Sequence, residues 1–550
     1  MDTLHIQRLE ARYHLPRRQL DMRQRLDKLL ADIVPQALET ALEFSGVSPH
    51  EEICLRQLHV PVRLRLSASD PVLIGGWCEA LAEAIRTLID SGQSALVVRY
   101  SSRINALADF ALGVANRQYP RAWAWNQLGL AQLSSDTTDS EALAQFMAAI
   151  LAHPQAILPV LRILAQQNRL QILAPRLDQE AWHHLALAAL TAAGGQPARV
   201  MAYRSRPDHS QRKAKTHDGR RFPVVSSLAD HVIRLPSHFT EPRVPRHALT
   251  ILIALEAQPE LVRANDETLV TRLQAIDAAL AAALSDAGAG QAKSLPDATQ
   301  SRASSPHPSE NGTKNLPSGR HASESTPDSA SQVNRNTRVD IDHLASVKHS
   351  VIHMSASRTL PQELSPAPDP VTASQTDYPR PDTLELAGTA YGGLLYLLPL
   401  FEGLGLVETL PTDPRFKQRS LRWILHALAL RLTGCGERDP AALAFCGQSP
   451  LAAPPGKNES PVDAEETRAL DAAIERLTGS LTQRIGGDRL PMDRLIDFVC
   501  RRRARIQADP GWIECVLSME EVSTVIRRAG LDLDPGYLPW LGVVVVFRYE

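Results

Sequence analysis

The residues that could do chemistry in this chain stand apart from one another. Six cysteines, Cys54, Cys78, Cys435, Cys446, Cys500 and Cys515, occur singly with no CxxC pair. That spacing spells out neither a zinc site nor a dense disulfide framework. They are expected to be reduced, mostly buried thiols of a cytoplasmic protein. His183-His184 and His426 have no HExxH, no HxH and no nearby cysteine, which leaves a metal too few donors. Gly434-Cys435-Gly436 lacks the remaining glycine of GxGxxG and a preceding strand, and neither GxxxxGK(S/T) nor GxSxG occurs.

Two charged constellations remain. Asp532 and Asp534 lie close to Arg527-Arg528, and paired carboxylates in a cleft could share general acid–base work. Beside Pro535-Gly536 they are expected instead to cap backbone N–H groups or to pair with the arginines. Arg501-Arg502-Arg503-Ala504-Arg505 is a basic run, with Arg212-Lys213-Ala214-Lys215 and Arg220-Arg221 as lesser ones. Such runs suit nucleic acid or an acidic protein face. The first extends a helix pattern begun at Leu495, so a solvated helix end is the default. No catalytic residue, cofactor or metal is indicated, and a non-enzymatic protein is the expectation.

The whole-chain balance narrows the partners. Lys plus Arg number 59 against 61 Asp plus Glu among 550 residues, a formal charge of -2. A dedicated nucleic-acid binder usually carries a marked basic excess, so this balance argues against one. The opening MDTLHIQRLEARYHLPRRQ lacks the apolar core of a signal peptide. The longest apolar run, residues 393–400, falls far short of the roughly 18 residues a membrane span needs. A soluble, cytoplasmic protein is expected, with no membrane partner.

The elements that must position these residues fall into four stretches. In residues 1–119, Leu26, Leu29, Leu30, Ile33, Ala37, Leu38, Ala41 and Leu42 recur at helical spacing. Leu58, Val60, Val62, Leu64 and Leu66 then alternate with polar residues and Pro61, the pattern of a half-buried edge strand. A helix carrying Trp77, Leu81, Ile85, Leu88 and Ile89 follows, then a strand over 95–100 and a helix to Leu112 capped by Ser101 or Ser102. Residues 120–285 read as helical, with segments at 142–151, 154–164, 170–173, 182–193, 248–257 and 268–284. Two helix–x–Pro joints, at His153-Pro154 and Gln258-Pro259, resemble those of stacked helical hairpins but set no firm period. The polar, basic residues 199–222 read as an exposed loop.

From 286 to 380 Ser, Pro, Thr, Asp, Asn and Gly dominate. Such composition buries too little apolar surface to offset chain entropy, so a long disordered linker is expected between separate domains. Residues 339–354 carry a weak apolar scatter suited to folding on a partner. Residues 381–550 read as an α+β domain. Helices are expected at 421–432 (with Trp423 and His426), 462–481 and 495–506. The end of the chain adds a strand with Trp512, a helix over 519–529 stopped by Gly530, a turn, and a strand over 543–549. Tyr537 and Trp540 are expected to be half-buried anchors. The fold class is therefore α-rich α+β: N-terminal α/β segment, helical domain, linker, C-terminal α+β domain.

Two stretches are the most distinctive: GGLLYLLPLFEGLGL at 392–406 and DPGWIECVLSMEEVSTVIRRAGLDLDPGYLPWLGVVVVFRYE at 509–550. Together they resemble the characteristic core of the tape-measure-type proteins of extracellular contractile injection systems. The residues that carry the resemblance are Gly392, Gly393, Leu395, Pro399, Phe401, Trp512, Arg528, Gly530, Asp534, Pro535, Gly536, Pro539, Trp540 and Gly542. Asp439-Pro440-Ala441-Ala442-Leu443-Ala444 matches a short helix opening that follows the first motif, and the helix–strand–helix order of the N-terminal part matches loosely. In that motif a proline interrupts an apolar helix; here Leu398 replaces the usual polar residue before it and the spacing to the next Phe is shortened, which marks a divergent member. The resemblance implies a non-enzymatic assembly protein that sets tube length or helps initiate baseplate and tube. Its partners would be baseplate or tube proteins, with self-association, and it would end in the assembled particle. A single helix of this length would reach about 800 Å at 1.5 Å per residue, but 39 prolines rule out one rod. The alternatives are a soluble adaptor or chaperone for assembly or cargo loading and, less favoured by charge, a nucleic-acid-associated helical protein.

Overall fold

Two small sheets sit among helices in the α-rich α+β chain. The computed structural model describes residues 3–6, 11, 13, 22–33, 51–91, 95–199, 226–232, 246–264, 266–292, 351–354, 386–416, 419–455, 461–485 and 491–550. Expectations for residues 34–42, for 200–222 and for most of 286–380 fall outside these. Within that last span, the helix Asp266–Ala292 runs past 286, and Val351–Met354 forms a strand.

The first sheet has the order β1-β4-β2-β3, from Thr3–Ile6, Val351–Met354, Glu52–Leu55 and Val97–Tyr100. The strand β4 is parallel to both its neighbours, while β2 and β3 are antiparallel. Alternation could not reveal β2, because Ile53, Cys54 and Leu55 are all fully buried. The alternating stretch from Leu58 to Leu66 is corrected. Its apolar side chains pack on the cluster around Trp77 and Leu81, as the pattern requires, yet it forms no ladder among the described residues. Pro61 offers no N–H, and the Arg25 guanidinium takes the carbonyls of Leu66 and Ala68 at 3.0 and 2.8 Å. The helix Asp70–Asp90 buries Trp77, Leu81 and Ile85 as expected.

A single apolar core then runs from Cys54 to Leu280, crossing position 119. Ser102 caps the helix Arg103–Asn116, accepting the Asn105 N–H at 3.4 Å. Phe110 meets Phe146 edge-on at 5.7 Å and Trp125 at 5.0 Å in the middle of this core. The two proline joints share one backbone solution. His153 (φ -126°, ψ 65°) and Gln258 (φ -143°, ψ 70°) each end a helix and lead into a 3-10 turn that begins with proline, Pro154–Ala156 and Pro259–Arg263. Proline suits that position because the first turn needs no N–H donor.

The second sheet has the order β5-β6-β7-β9-β8, from Ala387–Thr389, Ala504–Asp509, Trp512–Leu517, Val543–Tyr549 and Gly536–Leu538. A tight hairpin joins β6 to β7, and β9 returns parallel to β7. Three expectations change here. The helix placed at 495–506 ends at Cys500, because Ala504 and Ile506 are buried while Arg505 is exposed, the two-residue period of a strand. The helix placed at 519–529 is a 3-10 turn, Met519–Glu521, and a separate helix, Thr524–Arg528, with extended backbone at Val522 and Ser523 between them. Pro399 does not interrupt a helix: the 3-10 turn Gly392–Leu397 precedes it, and it lies in the first turn of a new helix, Leu398–Gly403.

Candidate interaction surface

Gly392, Gly393, Leu395, Phe401, Trp512 and Trp540, all part of the resemblance, are buried in the C-terminal half. Gly392 and Gly393 have no room for a side chain: a Cβ would sit 2.3 Å from that of Ala504 at the first, and 2.0 Å from the Val499 carbonyl oxygen at the second. Their absence of bulk lets the 3-10 turn press against β6 and the helix Met492–Cys500. Leu395 and Phe401 are fully buried. Phe401 stacks on Trp540 (6.1 Å, 24°) and meets Phe445 edge-on at 5.6 Å. Trp540 is 0% exposed, so the expectation of half-burial is corrected, while Tyr537 is half-buried as expected. Trp512 is buried at the start of β7; Pro399, Pro535 and Pro539 are half-buried and Arg528 is exposed. Gly530, Gly536 and Gly542 all have positive φ and end the helix, the turn and the last loop.

The charged constellations resolve into structural roles. The Asp534 carboxylate accepts the Phe547 N–H at 2.6 Å, on the side of β9 that the short β8 leaves uncovered. Asp532 accepts from Arg527 and from the Tyr549 hydroxyl, both at 3.1 Å. In the basic run Arg502 is 7% exposed, against expectation; it turns inward and donates to the carbonyls of Glu521 and Phe498. An arginine at the end of a helix thereby satisfies a carbonyl the helix leaves without a donor.

The nucleophile and metal candidates are similarly placed. Cys54, Cys78, Cys446, Cys500 and Cys515 are buried, and burial pushes the Cys446 and Cys500 thiols up to about 12. Thiols held so high are protonated at neutral pH and poor nucleophiles. His426 is 5% exposed and bonds the Glu437 carbonyl through Nε2 at 2.8 Å; burial lowers its pKa. His183 contacts His247 (Nδ1 to Nε2, 2.9 Å), a pair the sequence did not suggest. Gly434 is the left-handed cap of the helix Leu421–Thr433. No group of three or more His, Cys, Asp or Glu among the described residues could hold a metal. No single helix among them is long and apolar enough to cross a membrane.

Sequence reading missed a polar seam between the two halves of the chain. One half carries the core from Cys54 to Leu280, the other a core from Leu394 to Phe547. Among the described residues they meet at two places. The tip of the β6–β7 hairpin lies on the helices Arg103–Asn116 and Ile157–Gln166: Asn105 donates to Asp509 at 3.1 Å, and a Cβ on Gly511 would lie 2.2 Å from Cγ of Pro159. At the second place Arg263 spans Glu402 (2.7 Å) and Glu408 (2.9 Å), and Pro259 faces Gly542. Glu260 accepts the N–H of Leu421, the first residue of its helix, at 3.3 Å, and Arg422 donates to the Glu256 carbonyl. A carboxylate at a helix N-terminus meets both an open donor and the positive end of the helix dipole. Arg162 faces Glu256 and Arg422, and its burial lowers its pKa. Burial also raises Glu260, against Arg422 and Arg272, and raises Asp509, against Asn105 and Ser101. The proline joint at 258–259 was the one sequence signal near the seam.

The chain matches no family model, and no curated protein or solved structure is significantly similar to it.

Proposed function

We propose that this chain is a non-enzymatic structural or assembly component of a phage-tail-like contractile injection system, similar to the tape-measure proteins that set tube length or help initiate baseplate and tube. The observation that supports a binding role most is how the terminal unit divides its residues. Trp512, Trp540 and Phe547 pack inward. The crossover between β7 and β9 instead turns Met519 (63% exposed), Val525 (39%) and Leu533 (68%) outward. Large apolar side chains turned outward are available to a protein partner. Baseplate or tube proteins are the partners this reading names, and the chain would pass from the cytoplasm into the assembled particle.

The test is incorporation. Purified sheathed particles should contain the chain in fixed proportion, and Met519→Asp with Leu533→Asp should remove it while leaving the circular dichroism of the isolated protein unchanged. Particles of normal form that lack the wild-type chain would overturn the structural role and favour the adaptor. A ruler role has its own test. Deleting residues 301–330 should shorten tubes by up to about 100 Å, at ~3.3–3.6 Å per residue. Unchanged tube length would leave initiation, not measurement, as the contribution.

A further inference from the structure

The seam closes between two halves that each have their own core, and the chain joining them is long. Among the described residues no apolar cluster crosses it: one core ends at Leu280 and the other begins at Leu394. What crosses it is a set of matched polar contacts, Asn105–Asp509, Glu260–Leu421, Arg422–Glu256 and Arg263 with Glu402 and Glu408. Around these, the Nε atoms of Arg162 and Arg422 are buried with no hydrogen-bond partner among the described residues. The joining residues 355–385 alone have a covalent reach of about 100 Å. That length does not restrict a C-terminal half to its own N-terminal half.

We propose that the seam also forms between copies: the C-terminal half of one chain docks on the N-terminal half of another through these contacts. The partner is a second copy of this chain. Shape and charge complementarity commit the surface to that occupant. Gly511 seats where Pro159 leaves room for no side chain, Gly542 faces Pro259, and the cation Arg263 meets two carboxylates. The within-chain and between-chain seams have identical contacts and differ only in effective concentration, so crowding of copies favours the exchange. Reciprocal exchange gives a closed dimer; one-way exchange gives a head-to-tail row. The inference stands on the seam alone and survives if the particle reading fails.

Two full-length variants test it. Arg263→Glu places like charges across the seam within one chain; Glu402→Arg with Glu408→Arg does the same from the other side. Mixed, the two restore opposite charges at both seams, but only between chains. Each variant alone should stay monomeric by light scattering, and the mixture should give a species of twice the mass. A mixture that remains monomeric at every concentration, or variants that dimerise equally well alone, would overturn the proposal. A second pair serves if either variant misfolds. An isotope-labelled Asn105→Cys chain mixed with an unlabelled Asp509→Cys chain should form a mixed disulfide well above that of a Val72→Cys surface control. Yields equal to the control would likewise overturn it.

Discussion

The C-terminal core and the seam are built from opposite materials, although a few residues belong to both. In the core, Trp540, Phe401 and Phe445 pack ring against ring with no exposed surface, and glycines exist where a backbone must pass within van der Waals distance of another. In the seam, arginines and carboxylates do the joining, and proline meets glycine at both places, tightly at Gly511. The core's acid Glu466 is held by a hydrogen-bonded Arg419 and pulled below the usual carboxylate range. The seam's acids Glu260 and Asp509 are pushed above it by burial. Apolar packing makes each half stable, and polar matching decides what each half meets. The two kinds of contact should therefore fail separately.

Breaking the core has the largest expected effect. Trp540→Ala removes a fully buried ring and leaves a cavity, which should cost about 3–5 kcal/mol in urea unfolding of the whole chain. Gly393→Ala forces a methyl group to within 2.0 Å of the Val499 carbonyl oxygen. The 3-10 turn must shift, at an expected cost of about 1–3 kcal/mol in the same measurement. A loss smaller than that of an exposed substitution in either case would show that this core is not what holds the half together.

The sequence carried the core better than the seam, for a physical reason. Helix faces such as Trp77, Leu81 and Ile85 repeat at the spacing of the element that buries them, whereas the strand with Trp512 is buried along its whole length and carries no such period. The short 3-10 turn at 392–397 and the change from helix to strand after Cys500 were harder, since Leu-rich and Arg-rich stretches fit either form. The Gly392–Gly393 pair was visible, but what it makes room for lies more than a hundred residues away. The seam left almost no trace. Glu260, Arg263, Glu402 and Glu408 are residues any solvated helix end carries, and only the fold brings them together.

A change of pH sharpens the contrast because the signs differ. Glu260 and Asp509 are raised, so each stabilises the closed seam fully below the ordinary carboxylate value of about 4; that stabilisation is lost as pH rises through the raised values. Glu466 is lowered, so its contribution to the C-terminal half is present above the ordinary value and lost as pH falls through the lowered one. Raising the pH from about 4 should thus open the seam, followed by a dye pair across it, while the urea midpoint of the C-terminal half rises. Parallel responses would contradict the division. The smallest effect is expected at Arg263→Ala. Its partners are half-exposed, Glu402 at 50% and Glu408 at 46%, so solvent screens both pairs. Losing them should weaken closure by no more than about 1 kcal/mol, and less in high salt.

Hydrogen exchange of the intact chain reads the separation of seam and core most directly. The Leu421 amide is held across the seam by Glu260, whereas the amides of β7 and β9 are held within the C-terminal sheet. Two independent cores joined by a polar seam predict that Leu421 exchanges through a partial opening, with a lower free energy and a smaller denaturant dependence than the β7 and β9 amides. Exchange of all of them at one free energy and one denaturant dependence would mean that seam and core unfold as a single unit, and would contradict the account.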